Sequence, residues 1–182
     1  EVLLGNAVGP GGNVARLSAL ATGLPVSVPG VTVDRQCGSG LEAVNIAARL
    51  VQSGACDVVL AGGVESTSTA PWRVAKPSSL YRSPTFYDCS RFSPDEIGDP
   101  SMIEAAENVA AAHGIDRARQ DRYALDSHRK AIASQARGRF GREIVPLSLR
   151  DGRIIDRDEC PRADTSLDRL AALRPILRSN GT

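Results

Sequence analysis

An α/β fold with a mostly parallel sheet is what the first third of this sequence predicts, followed by a helix-rich segment of different character. Three observations carry that prediction. Over residues 1–64, short apolar or β-branched runs alternate with helix-like segments in the order strand, helix, strand, helix, strand. One of those helices is apolar over most of its circumference, as a buried central helix would be. From about Ser66 the periodicity is lost among prolines, and two longer helical segments then resume.

The elements follow in order. Glu1 to Leu4 reads as a short strand, ended by the Gly-Pro-Gly-Gly cluster at 9–12. That cluster lacks a following Lys-Ser or Lys-Thr, so it is a turn and not a P-loop. Asn13 is a candidate N-cap for a helix reaching about Thr22. Val31 to Val33 is a β-branched strand, and a helix spans about Gly38 to Ser53. In that helix Glu42, Asn45, Arg49 and Gln52 recur as a single polar stripe. Asp57 to Val64 is a near-continuous apolar strand interrupted by Gly62-Gly63. Pro71, Pro77, Pro84, Pro94 and Pro100 punctuate the next stretch. Helices are expected at about 101–113 and 116–137, the second with Tyr123, Ala124, Ser127, Ala131 and Ser134 on one face. Ile144 to Leu149 reads as a strand and Ser166 to Leu173 as a helix stopped before Pro175.

Composition narrows the function classes. The chain has 182 residues, with 22 basic and 21 acidic side chains interspersed and a formal net charge of +1. This gives no reason to expect a nucleic-acid or membrane partner, and no apolar run approaches the ~20 residues of a membrane-spanning helix. Four cysteines at 37, 56, 89 and 160 are too scattered for a C-x-x-C zinc site and too sparse for a disulfide scaffold. No metal is predicted, and a reducing cytoplasm is expected. The abrupt start and finish suggest a piece of something longer.

Cys37 is the strongest candidate for chemistry. A thiol at the start of a helix feels the partial positive charge of unpaired N–H groups, which favours the thiolate. Its own backbone N–H could point at a developing oxyanion, and Gly38 and Gly40 would leave room for a substrate. A buried structural cysteine fits the same local pattern, which does not decide between the two. Cys56 reads as inert. Cys89, among Tyr81, Phe86, Tyr87 and Phe92, suggests loop packing or a subunit contact. His113 and His128 read as surface residues, and a Cys-His hydrolase using one of them is an enzyme alternative.

The segment Cys37-Gly38-Ser39-Gly40-Leu41-x-Ala43-Val44, preceded by a strand ending in Asp34-Arg35, resembles the nucleophile segment of the thiolases. Further matches follow in order: Asn13-x-Ala15-Arg16, "VVLAGGVESTSTAPW", "MIEAAENVA" at 102–110, "GRFGREIVPL" and "DECPRADTSLDRLAALRPIL". The resemblance implies a thiolase-like layered fold. Residues 1–67 would be part of the N-terminal core domain, with its first strand and helix preceding Glu1. Residues 68–182 would be an inserted α-rich loop domain for CoA and oligomer contacts, and the C-terminal core domain is absent from this chain.

The resemblance also implies an acyltransferase that forms a thioester on Cys37 and makes or cleaves 3-ketoacyl-CoA, in acetyl-CoA or fatty acid metabolism. Acyl-CoA and CoA would be substrates, no cofactor is needed, and a homodimer or homotetramer is expected. Arg162 falls where the family places a basic residue near the CoA phosphates, a role that suits a planar, bidentate guanidinium. Ser101 stands where several relatives carry a histidine that contacts pantetheine, and Met102 would line the acyl pocket. The family's activating histidine and its second cysteine, in a C-x-G segment, lie in its C-terminal half and have no match here. This segment alone is therefore expected to be inactive. A non-catalytic thiolase-like protein for binding or assembly is the alternative. The "CGSGLEAV" pattern fits thiolases better than ketoacyl synthases.

Overall fold

The computed structural model describes residues 1–87, 89 and 91–182; Asp88 and Ser90, which flank Cys89 in the irregular stretch, lie outside the described residues. The chain falls into two compact units, Glu1–Ser90 and Arg91–Thr182. The irregular stretch after Ser66 is shared between them, its residues up to Ser90 lying in the first unit and the rest in the second.

The first unit is built on three parallel strands, β1 (Val2–Gly5), β2 (Gly30–Val33) and β3 (Leu60–Gly63), in the order β2-β1-β3. Helix α1 (Val14–Ala21) connects β1 to β2, and α2 (Ser39–Gln52) connects β2 to β3. Alternation along the central strand sorts the two helices. Val2 and Leu4 pack with Ala15 and Ala19 of α1, whereas Leu3 packs with Ala43 and Ala47 of α2. Two glycines let the helices approach. A Cβ on Gly30 would lie 2.5 Å from the Arg16 nitrogen, and one on Gly5 would lie 2.5 Å from the Ser39 carbonyl carbon. Asn13 caps α1 as expected, its side chain accepting from the Arg16 N–H at 3.0 Å.

Among the described residues, the cover on α2 and on the segment around β3 is one-sided. Helix α2 is covered on one face only, leaving Leu41 at 68%, Val44 at 49% and Val51 at 47% exposure. The apolar segment around β3 is also partly bare, with Val58 and Leu60 exposed. The cause is geometric: β3 is an edge strand, and α1 touches β1 and β2 but not β3. A short antiparallel ladder, β4 (Val74–Ala75) with β5 (Thr85–Phe86), completes the unit.

In the second unit, α3 (Met102–Ala112) and α4 (Arg117–Ala136) form as the sequence predicts. A two-residue ladder follows, β6 (Leu147–Ser148) with β7 (Ile154–Ile155), and then α5 (Leu167–Ala171). On α4, Ala124, Ala131 and Ser134 of the predicted face are half-buried. Tyr123 is exposed, while Asp121 and Leu125 are buried. Burying Asp121 is tolerable because Arg117 Nε donates to it at 2.8 Å. The same guanidinium donates to the Leu170 and Leu173 carbonyls at the end of α5. Among the described residues, no helix is long and apolar enough to cross a membrane.

Candidate active site

The bend between β2 and α2 presents Cys37. Arg35 N–H donates to Ser39 Oγ at 2.8 Å, and that hydroxyl donates to the Gln36 carbonyl at 2.6 Å. The Gly38 and Ser39 N–H groups close the turn on the Arg35 and Gln36 carbonyls at 3.1 and 3.0 Å. Gln36 is driven to φ +51°, a left-handed conformation that costs a non-glycine residue about 1–2 kcal/mol. Buried Ser39 therefore anchors the bend from beneath, and Cys37 is exposed one residue before the N-cap Gly38. Beside it, Glu42 pairs with Arg35 and, at 3.4 Å, with Arg49. The hydrogen bond from Arg35 holds the Glu42 carboxyl below its usual range.

Cys37 opens into a cleft of about 400 Å³ walled by Gly5, Val8, Gln36, Gly40, Gly63 and Glu65. A carboxylate that the sequence reading left without a role shapes one side. The N–H groups of Ala7, Val8 and Gly9 donate to the Glu65 carboxylate at 2.5, 3.1 and 3.1 Å. These bonds, the one from Ala7 foremost, hold the Glu65 carboxyl below its ordinary value. Buried Asn6 locks the same loop by donating to the Gly9 and Val64 carbonyls. The only sequence signal for this clamp was an acidic residue two positions after the Gly62-Gly63 strand end. Nothing in it named the three backbone partners.

The remaining predicted site residues lie in the second unit. Ser101 is the N-cap of α3, its hydroxyl accepting from the Glu104 N–H at 3.2 Å, and Met102 is the first, exposed residue of that helix. Arg162 lines a hollow of about 410 Å³ with His128, Asp164, Thr165 and Arg169. His128 is not a bare surface residue there: it is half-buried, and its Nδ1 accepts from the Arg162 N–H at 3.1 Å. Asp164 pairs with Arg169, whose hydrogen bond holds the Asp164 carboxyl low. His113 ends α3 as an exposed C-cap. Among the described residues, no group of His, Cys, Asp and Glu side chains could hold a metal ion.

Residues 1–182 match the family model described as "Thiolase, N-terminal domain". A putative acetyl-CoA C-acetyltransferase VraB of Staphylococcus haemolyticus is 52% identical over 184 aligned residues, covering 100% of this chain and 48% of that protein. Its counterpart in Staphylococcus aureus (strain MRSA252) is 45% identical over 180 residues, covering 98% of this chain and 47% of that protein. The crystal structure of the Bacillus anthracis acetyl-CoA acetyltransferase superposes with a TM-score of 0.86 at 34% identity, over 99% of this chain and 48% of that one. The chain thus spans about half the length of the relatives it matches.

Proposed function

Because the chain belongs to the thiolase family, we propose that it is the nucleophile-bearing part of an acetyl-CoA C-acyltransferase. The observation that carries this is the exposed Cys37 thiol, held by a strained bend over a cleft at the start of α2. In the proposed reaction the Cys37 sulfur attacks the 3-keto carbonyl of a 3-ketoacyl-CoA. A C–S bond forms, the bond between the keto carbon and the α-carbon breaks, and the departing acetyl-CoA carbanion takes up a proton. CoA then attacks the acyl-Cys37 thioester and carries off the acyl group, returning a proton to Cys37. Splitting the transfer through a thioester suits the chemistry, because one thioester exchanges for another at little free-energy cost.

The Gly38 and Ser39 amides are committed to closing the bend. The Cys37 N–H is therefore the donor proposed for the carbonyl oxygen. Arg162 would hold CoA phosphates, with Ser101 and Met102 contributing to substrate contacts in a loop domain after residue 67. A cytoplasmic homo-oligomer acting in fatty acid metabolism completes the proposal.

The test uses the full-length protein that contains this chain. Incubation with acetyl-CoA should leave one acetyl group on the Cys37 peptide, read by mass spectrometry, and the forward kinetics should be ping-pong. Cys37→Ala should abolish both the label and thiolysis. Labelling of Cys89 instead, or thiolysis surviving in Cys37→Ala, would overturn the assignment. Absence of any acyl-enzyme would favour a thiolase-like binding or assembly protein.

A further inference from the structure

Between β7 and α5 the chain runs without regular structure, and two side chains of α4 hold it. Gln135 Nε2 donates to the Asp158 carbonyl at 3.1 Å, and His128 Nδ1 accepts from the Arg162 N–H at 3.1 Å. His128 and Gln135 stand about two helical turns apart and so share one face of α4. Pro161 carries no N–H, which leaves the Arg162 N–H as the next donor along the segment after Cys160. A ring nitrogen that accepts a hydrogen bond carries no proton, so the imidazole presents a bare Nδ1 to the backbone. His128 is half-buried at this contact, while Arg162 is exposed.

Three charged side chains line the hollow beside this contact: Arg162, Asp164 and Arg169. Arg169 is committed, because it pairs with the Asp164 carboxylate and also donates to the Asp164 carbonyl at 2.9 Å. The Arg162 guanidinium makes no hydrogen bond or ion pair with the protein among the described residues, although its charge helps to hold the Asp164 carboxyl low. It is therefore the cation of that hollow left for a phosphate. A long side chain gives up rotamer freedom when it binds, and a backbone free to move would add to that cost. We propose that His128 is a positioning residue for Arg162. Its Nδ1 holds the Arg162 backbone against α4, which keeps the guanidinium at the hollow before CoA arrives. This rests on the proposed role of Arg162 toward the CoA phosphates.

The test follows thiolysis of acetoacetyl-CoA by the full-length protein, with CoA as the varied substrate. Arg162→Ala is measured first and should raise the KM for CoA; no change there overturns both the role of Arg162 and the inference built on it. With that established, His128→Ala should raise the KM for CoA about three- to tenfold, the range one ordinary hydrogen bond spans, and leave kcat near the wild-type value. Should the alanine variant fail to fold, His128→Phe keeps a ring without the acceptor and should show the same rise. His128→Asn should restore most of the affinity, because its Oδ1 stands close to the place of Nδ1 and accepts. In the Arg162→Ala background, His128→Ala should add little, because the imidazole acts through the arginine. An unchanged KM, an equal rise in both backgrounds, no recovery in His128→Asn or a loss confined to kcat would overturn the positioning role and leave that of Arg162 standing.

Discussion

At the scale of single residues, Cys37 depends on neighbours that do no chemistry. Ser39 holds the bend, Gln36 accepts an unfavourable backbone conformation, and Glu65 gathers three N–H groups into one wall of the cleft. The Glu65 clamp has a pH signature. Its carboxyl titrates below the ordinary value of 4.5 in the folded chain, so folding is favoured by its ionised form. That contribution is fully present above the unfolded value and is lost as the pH falls through the lowered folded value. Replacing Glu65 by Gln should therefore lower the thermal midpoint at neutral pH, and the gap to wild type should close under acid. Parallel midpoint curves at all pH values would show that the carboxylate charge contributes nothing. Cys37 could be singled out from its own sequence neighbourhood. Glu65 could not, because its partners lie more than fifty residues away on another loop.

Among the elements, β1 does most to organise the first unit. It is central in the sheet, its side chains alternate between α1 and α2, and it ends at Gly5 directly under the start of α2. Gly5→Ala would force a Cβ to within 2.5 Å of the Ser39 backbone. It should destabilise the protein by about 1–3 kcal/mol, the scale of overpacking, and should slow Cys37 acylation by displacing the bend. Gly40→Ala is the contrasting case. Its Cβ meets nothing within 4 Å, so the fold should tolerate it, with a gain of up to about 0.5–1 kcal/mol from the helical preference of alanine. Because Gly40 lines the cleft, acylation should still slow. Denaturant midpoints and acylation rates for the pair check both statements, and equal destabilisation would refute the seating of α2 on Gly5. The long helices and their start signals were legible from spacing. Strand β6 falls inside the expected Ile144–Leu149 strand, but β4, β5 and β7 were not legible, because two-residue strands are too short to display a period of two.

For the molecule as a whole, the division into Glu1–Ser90 and Arg91–Thr182 separates the chemistry available to each unit. The first holds Cys37 and no histidine; the only two histidines, His113 and His128, belong to the second. His128 Nδ1 is already engaged by the Arg162 N–H, and His113 caps α3. The 182-residue chain expressed alone should therefore show no sustained thiolysis of acetoacetyl-CoA, whereas the full-length protein should turn over. Steady turnover by the short chain would mean that it supplies its own base.

The sequence by itself determined the alternation of strands and helices in the first unit, the Asn13 cap, the position of Cys37 at a strand-to-helix bend and the family resemblance. All of these are written in local spacing or in contiguous motifs. Tertiary structure alone decided which face of α2 is covered, that β3 lies at an edge, that Asp121 points inward, and that Glu65 walls the Cys37 cleft. The physical reason is the same in each case. Periodicity states that a residue is apolar or polar on a given face, but burial and hydrogen-bond partners depend on what distant chain packs against that face.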